Sequence, residues 1–211
     1  MLASATHPLH LGGQTMKVLV VLAHPNPDSF SHAIVDKVSA TLADCGHSVS
    51  VIDLYAADYS SAMTRAELLA YPTSTPAIDP MVIEHTRLIQ ECSTIVFVYP
   101  TWWSSMPAIL KGWIDRTMLP GIAFSVHPET LKLQPGLTNV RRLIGITTFG
   151  GPRLASLVVR DNGSKIVTRS LRAICHRRCR TTWLRLFNID SSTVAQREKF
   201  LQRVERTVQK I

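Results

Sequence analysis

No apolar stretch of this 211-residue chain reaches the roughly 18 residues that a membrane span requires. Cysteine is scarce as well: Cys45, Cys92, Cys175 and Cys179 are too few for a disulfide framework in a chain of this size. Cys175 and Cys179, four apart, would share one helical face, but a structural zinc site needs two further ligands at matching spacing, and no second pair exists. Free thiols, a reducing cytoplasm and no metal site are expected. Acidic residues are outnumbered, 15 against 23 Lys and Arg, for a formal net charge of +8, which raises the question of an anionic partner. Arg169, Arg172, Arg177, Arg178, Arg180 and Arg185 are crowded together, yet no helix-turn-helix, ribonucleoprotein or zinc-finger pattern accompanies them, so a solvated face and no nucleic-acid partner are expected. Phosphate-binding glycine motifs are absent too: neither GxxxxGKS/T nor GxGxxG occurs. Residues 1–15 lack the charged start and long apolar stretch of a signal peptide and read as a disordered leader ahead of Met16, with 16–211 as one domain.

What is present is a regular alternation. KVLVVL (Lys17 to Leu22) has the continuous β-branched character of a strand buried on both faces. Phe30, Ile34, Val38 and Leu42 recur at spacing four over Ser29 to Ala43, a helix with one apolar face, and Gly46 follows where a left-handed cap belongs. A second strand covers Ser48 to Leu54. Between Tyr55 and Pro80 the chain is irregular, with a short helical piece at Thr64 to Ala70, and a helix is expected over Met81 to Glu91. Strand three is Thr94 to Tyr99, followed by a helix to about Arg116. Met118 to Asn139 reads as loop, with a short hairpin hinted at by Leu131 and Leu133. Strand four, Arg142 to Thr148, is followed by a helix over Gly163 to Arg177, a strand over Thr181 to Leu186 and a helix over Ser192 to Lys210. Right-handed crossovers turn this order into an α/β, doubly wound, five-stranded parallel sheet of order 2-1-3-4-5 with helices on both faces.

In such a sheet the ligand lies outside the carboxyl ends of strands one, three and four. The loop after strand one, AHPNPDSFSHA, sets Ser29, Ser31 and the N–H groups of a helix start side by side, a ready phosphate site. His24 reads as a ligand-contacting group, and ordinary helix capping is the alternative for the serines. After strand three, YPTWWSSMPAILKG places Trp102 and Trp103 in a turn with polar Thr101, Ser104 and Ser105, which suits a flat aromatic guest better than a core. After strand four, Thr147, Thr148, Phe149, Gly150 and Gly151 offer hydroxyls and backbone N–H groups that approach a ring edge closely.

HPNPDSFSHA, YPTWWSSMPAILKGWIDR and TTFGG together resemble the flavodoxin-like NAD(P)H:quinone oxidoreductase family, which includes mammalian quinone reductases and bacterial potassium-efflux ancillary reductases. The match runs from Lys17 to about Gly151. The resemblance implies bound FMN or FAD, with NAD(P)H as co-substrate, a quinone-like acceptor, ping-pong hydride transfer and a homodimer meeting around Asp115 and the aromatic loops. It implies that His24, Ser29, Phe30 and Ser31 hold the phosphates and ribityl chain, that Pro100, Thr101, Trp102 and Trp103 line the ring, and that Thr147, Thr148, Gly150 and Gly151 reach its pyrimidine edge. Gly150 and Gly151 are the candidate donors to developing negative charge. Counting from Thr147 places Ala155 and Asp161 where mammalian relatives carry a tyrosine and a histidine, with Arg153 as the substitute cation. A regulatory subunit that binds flavin or nucleotide with little reductase activity is the alternative; a flavodoxin-type electron carrier is disfavoured by the positive charge.

Overall fold

The computed structural model describes residues 15–154, 156 and 161–211. The expected leader, apart from Thr15, lies outside the described residues, as does Ala155. The main sheet contains β1 (Lys17–Leu22), β2 (Ser48–Asp53), β3 (Thr94–Pro100), β6 (Arg142–Thr148) and β7 (Arg180–Leu186). All neighbours are parallel and the order is β2-β1-β3-β6-β7, the expected 2-1-3-4-5 arrangement. A separate hairpin pairs β4 (Phe124–Val126) with β5 (Leu133–Pro135). Its second strand starts at Leu133, one of the two residues that hint at it, while Leu131 lies in the connecting loop at φ +52°.

Burial on both faces of the sheet explains the continuous apolar strands. One face carries Leu19, Val21, Ile95 and Phe97 against helices α3 (Pro80–Glu91) and α4 (Ala108–Thr117). The other carries Val18, Val20, Val96 and Ile144 against α1 (Phe30–Asp44) and the last helix, α6 (Val194–Val208). Ile34, Val38 and Leu42 of α1 are fully buried, worth roughly 5–9 kcal/mol together by transfer energy. That suffices to hold a helix of marginal intrinsic stability in place. Gly46 takes φ +79°, the left-handed position that ends α1.

Two caps are written in the sequence. Thr64 and Glu67 form a reciprocal capping box at the start of α2 (Arg65–Ala70), and Thr193 and Gln196 form another at α6. The last helix is therefore capped by Thr193 rather than opened by Ser192, and Val194, expected in its core stripe, is exposed while Phe200, Val204 and Val208 are buried. The helix expected over Gly163 to Arg177 is shorter. It begins as α5 (Asn162–Lys165), continues as a π-helical stretch, Ile166–Leu171, and gives way before Cys175, which bridges to Leu137. Cys175 and Cys179 consequently flank the turn into β7 instead of sharing a helical face.

Across β6 and β7, Gly145 pairs in register with Trp183. A Cβ at Gly145 would fall 2.2 Å from the Trp183 ring, so the absent side chain is the socket for the indole.

Candidate functional site

The ends of β1, β3 and β6 are adjacent, because these strands are neighbours in the sheet. Pro100 pairs in register with Thr148, and the Thr101 N–H donates to the Thr148 carbonyl at 2.7 Å, so the second and third loops leave the sheet side by side. The Ala23 N–H donates to the Val98 carbonyl at 3.0 Å and ties the first loop to the same edge.

Ser29 is the N-cap of α1, accepting from the His32 N–H, with its hydroxyl also 2.9 Å from His32 Nδ1. Its side chain is thus engaged in capping, and Ser31 is buried. What the turn leaves over are backbone donors. The Ser29 N–H is bonded to Asn26 and the His32 N–H to Ser29, so those of Phe30 and Ser31, which have no helical partner at this end, remain for an anion. The Phe30 ring is committed elsewhere: it lies 6.2 Å from the Phe200 ring, with the Arg197 guanidinium 5.8 Å over it. His24 Nδ1 is 3.1 Å from the Asn26 nitrogen and 3.2 Å from its carbonyl oxygen, so either tautomer keeps a backbone partner and Nε2 is left for a ligand. Desolvation holds the His24 pKa below its ordinary value, the charge of His32 adds to this, and the Asn26 contact and Asp53 oppose it.

The tryptophan loop is a tight two-residue turn. Trp102 and Ser105 exchange both backbone hydrogen bonds, each at 3.0 Å, and the central residues Trp103 and Ser104 have φ +47° and +58°. Both positive angles define a type I′ turn, which asparagine and glycine occupy with least strain. Here it carries a tryptophan that is fully exposed (101%), beside Trp102 at 42%. Strain held at two non-glycine positions, to present an unpacked indole to solvent, marks a surface built for a ligand or a partner.

Behind the turn, the hydroxyls of Thr101 and Thr147 are buried without a hydrogen-bond partner. Buried polar atoms are ordinarily satisfied, so these two hydroxyls are available to a polar guest at the junction of the second and third loops. Gly150 and Gly151 are exposed, and a Cβ at Gly151 would meet nothing within 4 Å, which leaves its backbone open to approach. Phe149 packs on Phe187 at 4.9 Å between ring centres. A flat ring carrying polar edges and a phosphate tail matches these groups: indoles for the ring, threonine hydroxyls and glycine N–H groups for the edges, and the start of α1 for the phosphate.

Arg153 is placed differently from the glycines. It lines a cavity of ≈ 570 Å³ with Asp161, Trp183 and Arg185, on the β7 side of the loop. Asp161 caps α5 by accepting from the Ser164 N–H at 2.9 Å and pairs with Arg185 at 3.1 Å. Both bonds make it a structural carboxylate.

Sequence reasoning missed His32 and Asp53. Asp53, the last residue of β2, accepts from the Tyr55 and Ala56 N–H groups and pairs with His32 Nε2 at 3.0 Å, and His32 meets His24 edge to face at 6.4 Å. An acidic residue closing a strand on the ligand edge was the available signal.

A profile of the flavodoxin-like fold matches residues 16–211. The chain is 32% identical over 125 residues to ribosyldihydronicotinamide dehydrogenase (quinone) of Mus musculus, covering 52% of this chain and 54% of that protein. The chain thus spans about half the length of the curated relatives it matches. Among solved structures, Smu.1420 from Streptococcus mutans UA159 superposes with a TM-score of 0.79 at 28% identity, covering 93% of this chain and 100% of that one. An NAD(P)H:quinone oxidoreductase from Methanothermobacter marburgensis gives 0.76 at 22% identity, covering 93% and 96%, a likeness of fold alone.

Proposed function

We propose that this chain, which belongs to the family of the flavodoxin-like fold, is a flavin-dependent NAD(P)H oxidoreductase that reduces a quinone-like acceptor. The observation that carries the reading is the pair of unpartnered threonine hydroxyls, Thr101 and Thr147, beneath an exposed indole turn and beside a free helix start. A bound FMN or FAD would supply the hydride chemistry, taking two electrons from NAD(P)H and giving them to the acceptor in a ping-pong cycle.

The chain's own residues bind and orient. The N–H groups of Phe30 and Ser31 and His24 Nε2 hold the phosphate, Trp102 and Trp103 wall the ring with Pro100, and Thr101, Thr147 and Thr148 bond its polar edge. The backbone N–H groups of Gly150 and Gly151 stabilise negative charge at the pyrimidine side, and Arg153 adds a cation from the neighbouring cavity. A homodimer is part of the proposal. Leu68 and Leu69, 62% and 64% exposed, and the exposed Trp103 supply apolar surface for a second subunit. A cytoplasmic setting is part of the proposal, supported by the four free cysteines.

Purified protein titrated with FMN and FAD, followed by NADH or NADPH oxidation with menadione, tests the reading. Stoichiometric flavin binding and menadione-dependent oxidation are expected. Trp102→Ala is expected to lose flavin while keeping its circular dichroism spectrum. Failure to bind either flavin overturns the proposal; binding with no oxidation above the menadione-free background leaves the regulatory-subunit alternative in its place.

A further inference from the structure

At the opposite edge of the sheet, where the strands begin, lies a recess of ≈ 440 Å³. Its walls come from four neighbouring strand starts: Lys17 opens β1, Thr94 opens β3, Arg142 opens β6 and Arg180 opens β7, with Arg141 and Arg178 from the adjoining turns. The register runs through Val18, Thr94, Arg142 and Arg180 in successive strands, and the Arg141 and Arg180 N–H groups bond to the Ser93 and Arg141 carbonyls at 2.8 and 3.0 Å. Arg142 and Arg180 are therefore held on one ladder, with Arg141 tied through its backbone to the strands on either side and Arg178 in the turn that precedes β7.

These guanidinium groups have no anionic partner. None of Arg141, Arg142, Arg178 and Arg180 forms an ion pair among the described residues, and all 15 acidic residues of the chain fall within the described residues. The carboxylate on the rim, Glu91, is taken up by Lys17 and Arg87. His176, beside the group, is pushed below its ordinary pKa by desolvation and by the charges of Arg141, Arg177 and Arg178. A second and independent observation lies in the wall: Thr94 is fully buried, and its hydroxyl has no hydrogen-bond partner. Like charges gathered around an unsatisfied hydroxyl are a cost that a bound anion removes.

We propose that this recess binds a compact oligophosphate, either a free tri- or tetraphosphate or the phosphate tail of a nucleotide. Arginine forks bond phosphate oxygens in pairs, and Thr94 supplies a neutral donor. No aromatic side chain among the described residues lines the recess, so recognition is by charge and not by stacking on a base. Roughly 20 Å of strand separate it from the Trp102 edge, at about 3.3 Å per residue, so it is independent of the proposed flavin site. An adjoining groove of Arg203, Arg206 and Lys210 shares Arg142 with it, and an extended polyanion would use both.

Isothermal titration of the full chain with tripolyphosphate, ATP and inorganic phosphate tests the proposal. Saturable 1:1 binding of tripolyphosphate, weakened by added salt, is expected, with inorganic phosphate much weaker. ATP equal to tripolyphosphate assigns the site to the phosphate chain alone, and tighter ATP binding assigns it to a nucleotide tail. Arg141→Gln with Arg178→Gln is expected to weaken binding about 100-fold, roughly tenfold per charged hydrogen-bonding partner. Thr94→Val is expected to weaken it several-fold without lowering the melting temperature, and Arg203→Gln with Arg206→Gln to leave it unchanged. Tripolyphosphate binding that is absent, no tighter than inorganic phosphate, or insensitive to Arg141 and Arg178 overturns the proposal. Equal losses from the Arg203 and Arg206 changes would overturn it in favour of an extended polyanion such as nucleic acid.

Discussion

Replacing Trp103-Ser104 with Asn-Gly separates what the turn contributes to folding from what it contributes to binding. Each non-glycine residue in the left-handed region costs about 1–2 kcal/mol, and Trp103 and Ser104 both lie there. The fully exposed Trp103 ring buries nothing against its own chain, so no packing is lost on its removal. The Ser104 carbonyl, which accepts from the Asn162 N–H at 2.8 Å, is retained. Glycine returns part of the gain through its greater unfolded-state entropy, about 1 kcal/mol. The flavin-free variant should then be about 1–2 kcal/mol more stable, a rise of roughly 2–8 °C in Tm for a chain of this length. Flavin affinity should fall about tenfold, the loss of one stacked aromatic partner. Urea denaturation of flavin-free protein and quenching of flavin fluorescence measure the two. Unchanged or lower stability would refute the strain argument, and undiminished affinity would refute the placement of Trp103 on the ring.

Other outcomes follow from buried polar groups. Arg116, 4% exposed, bonds Glu67 at 2.7 Å, Asp79 at 3.0 Å and the Ser60 carbonyl, pinning the irregular β2–α3 connection to α4; Arg116→Met should cost about 3–5 kcal/mol in urea denaturation, and adding Glu67→Leu should recover much of it. His85 accepts from Trp113 Nε1 at 3.2 Å, and burial pushes its pKa down. The unfolded chain then binds the proton more readily, so this contribution is complete above about pH 6.5 and declines as pH falls towards the folded value; His85→Gln should flatten that part of the stability profile. A separate acid loss below about pH 4.5 belongs to Glu67 and Asp79. Burial works to raise both carboxyls, but hydrogen bonds from backbone N–H groups and from Arg116 outweigh it and hold them low. Asp161→Ala should cost about 2 kcal/mol through the α5 cap and the Arg185 pair, read as a shift in urea midpoint.

The strands were legible because burial on both faces leaves an unbroken aliphatic signal, and their order followed from the alternation with helices. Apolar spacing predicts one helix from Gly163 to Arg177 because it does not distinguish α from π winding, and because the bridge from Leu137 that captures Cys175 is a long-range contact. The three loops at the ends of β1, β3 and β6 were legible from turn residues placed after the strands. The roles within them were not, since Ser29 and Phe30 carry side chains suited to a ligand that geometry assigns to His32 and to the last helix. Pairings such as Asp161 with Arg185 and Asp53 with His32 join positions 24 and 21 residues apart, and no local pattern marks them.

The socket at Gly145 carries a consequence for how this sequence can change. Since the Trp183 ring occupies the volume of a Cβ at Gly145, neither residue is free to vary by itself. Alanine at 145 becomes tolerable only once the indole has been exchanged for something smaller, and a smaller residue at 183 leaves a void that a larger one at 145 fills. Related sequences should therefore show the two positions exchanging bulk in concert, and libraries that randomise only one of them should return the parental residue.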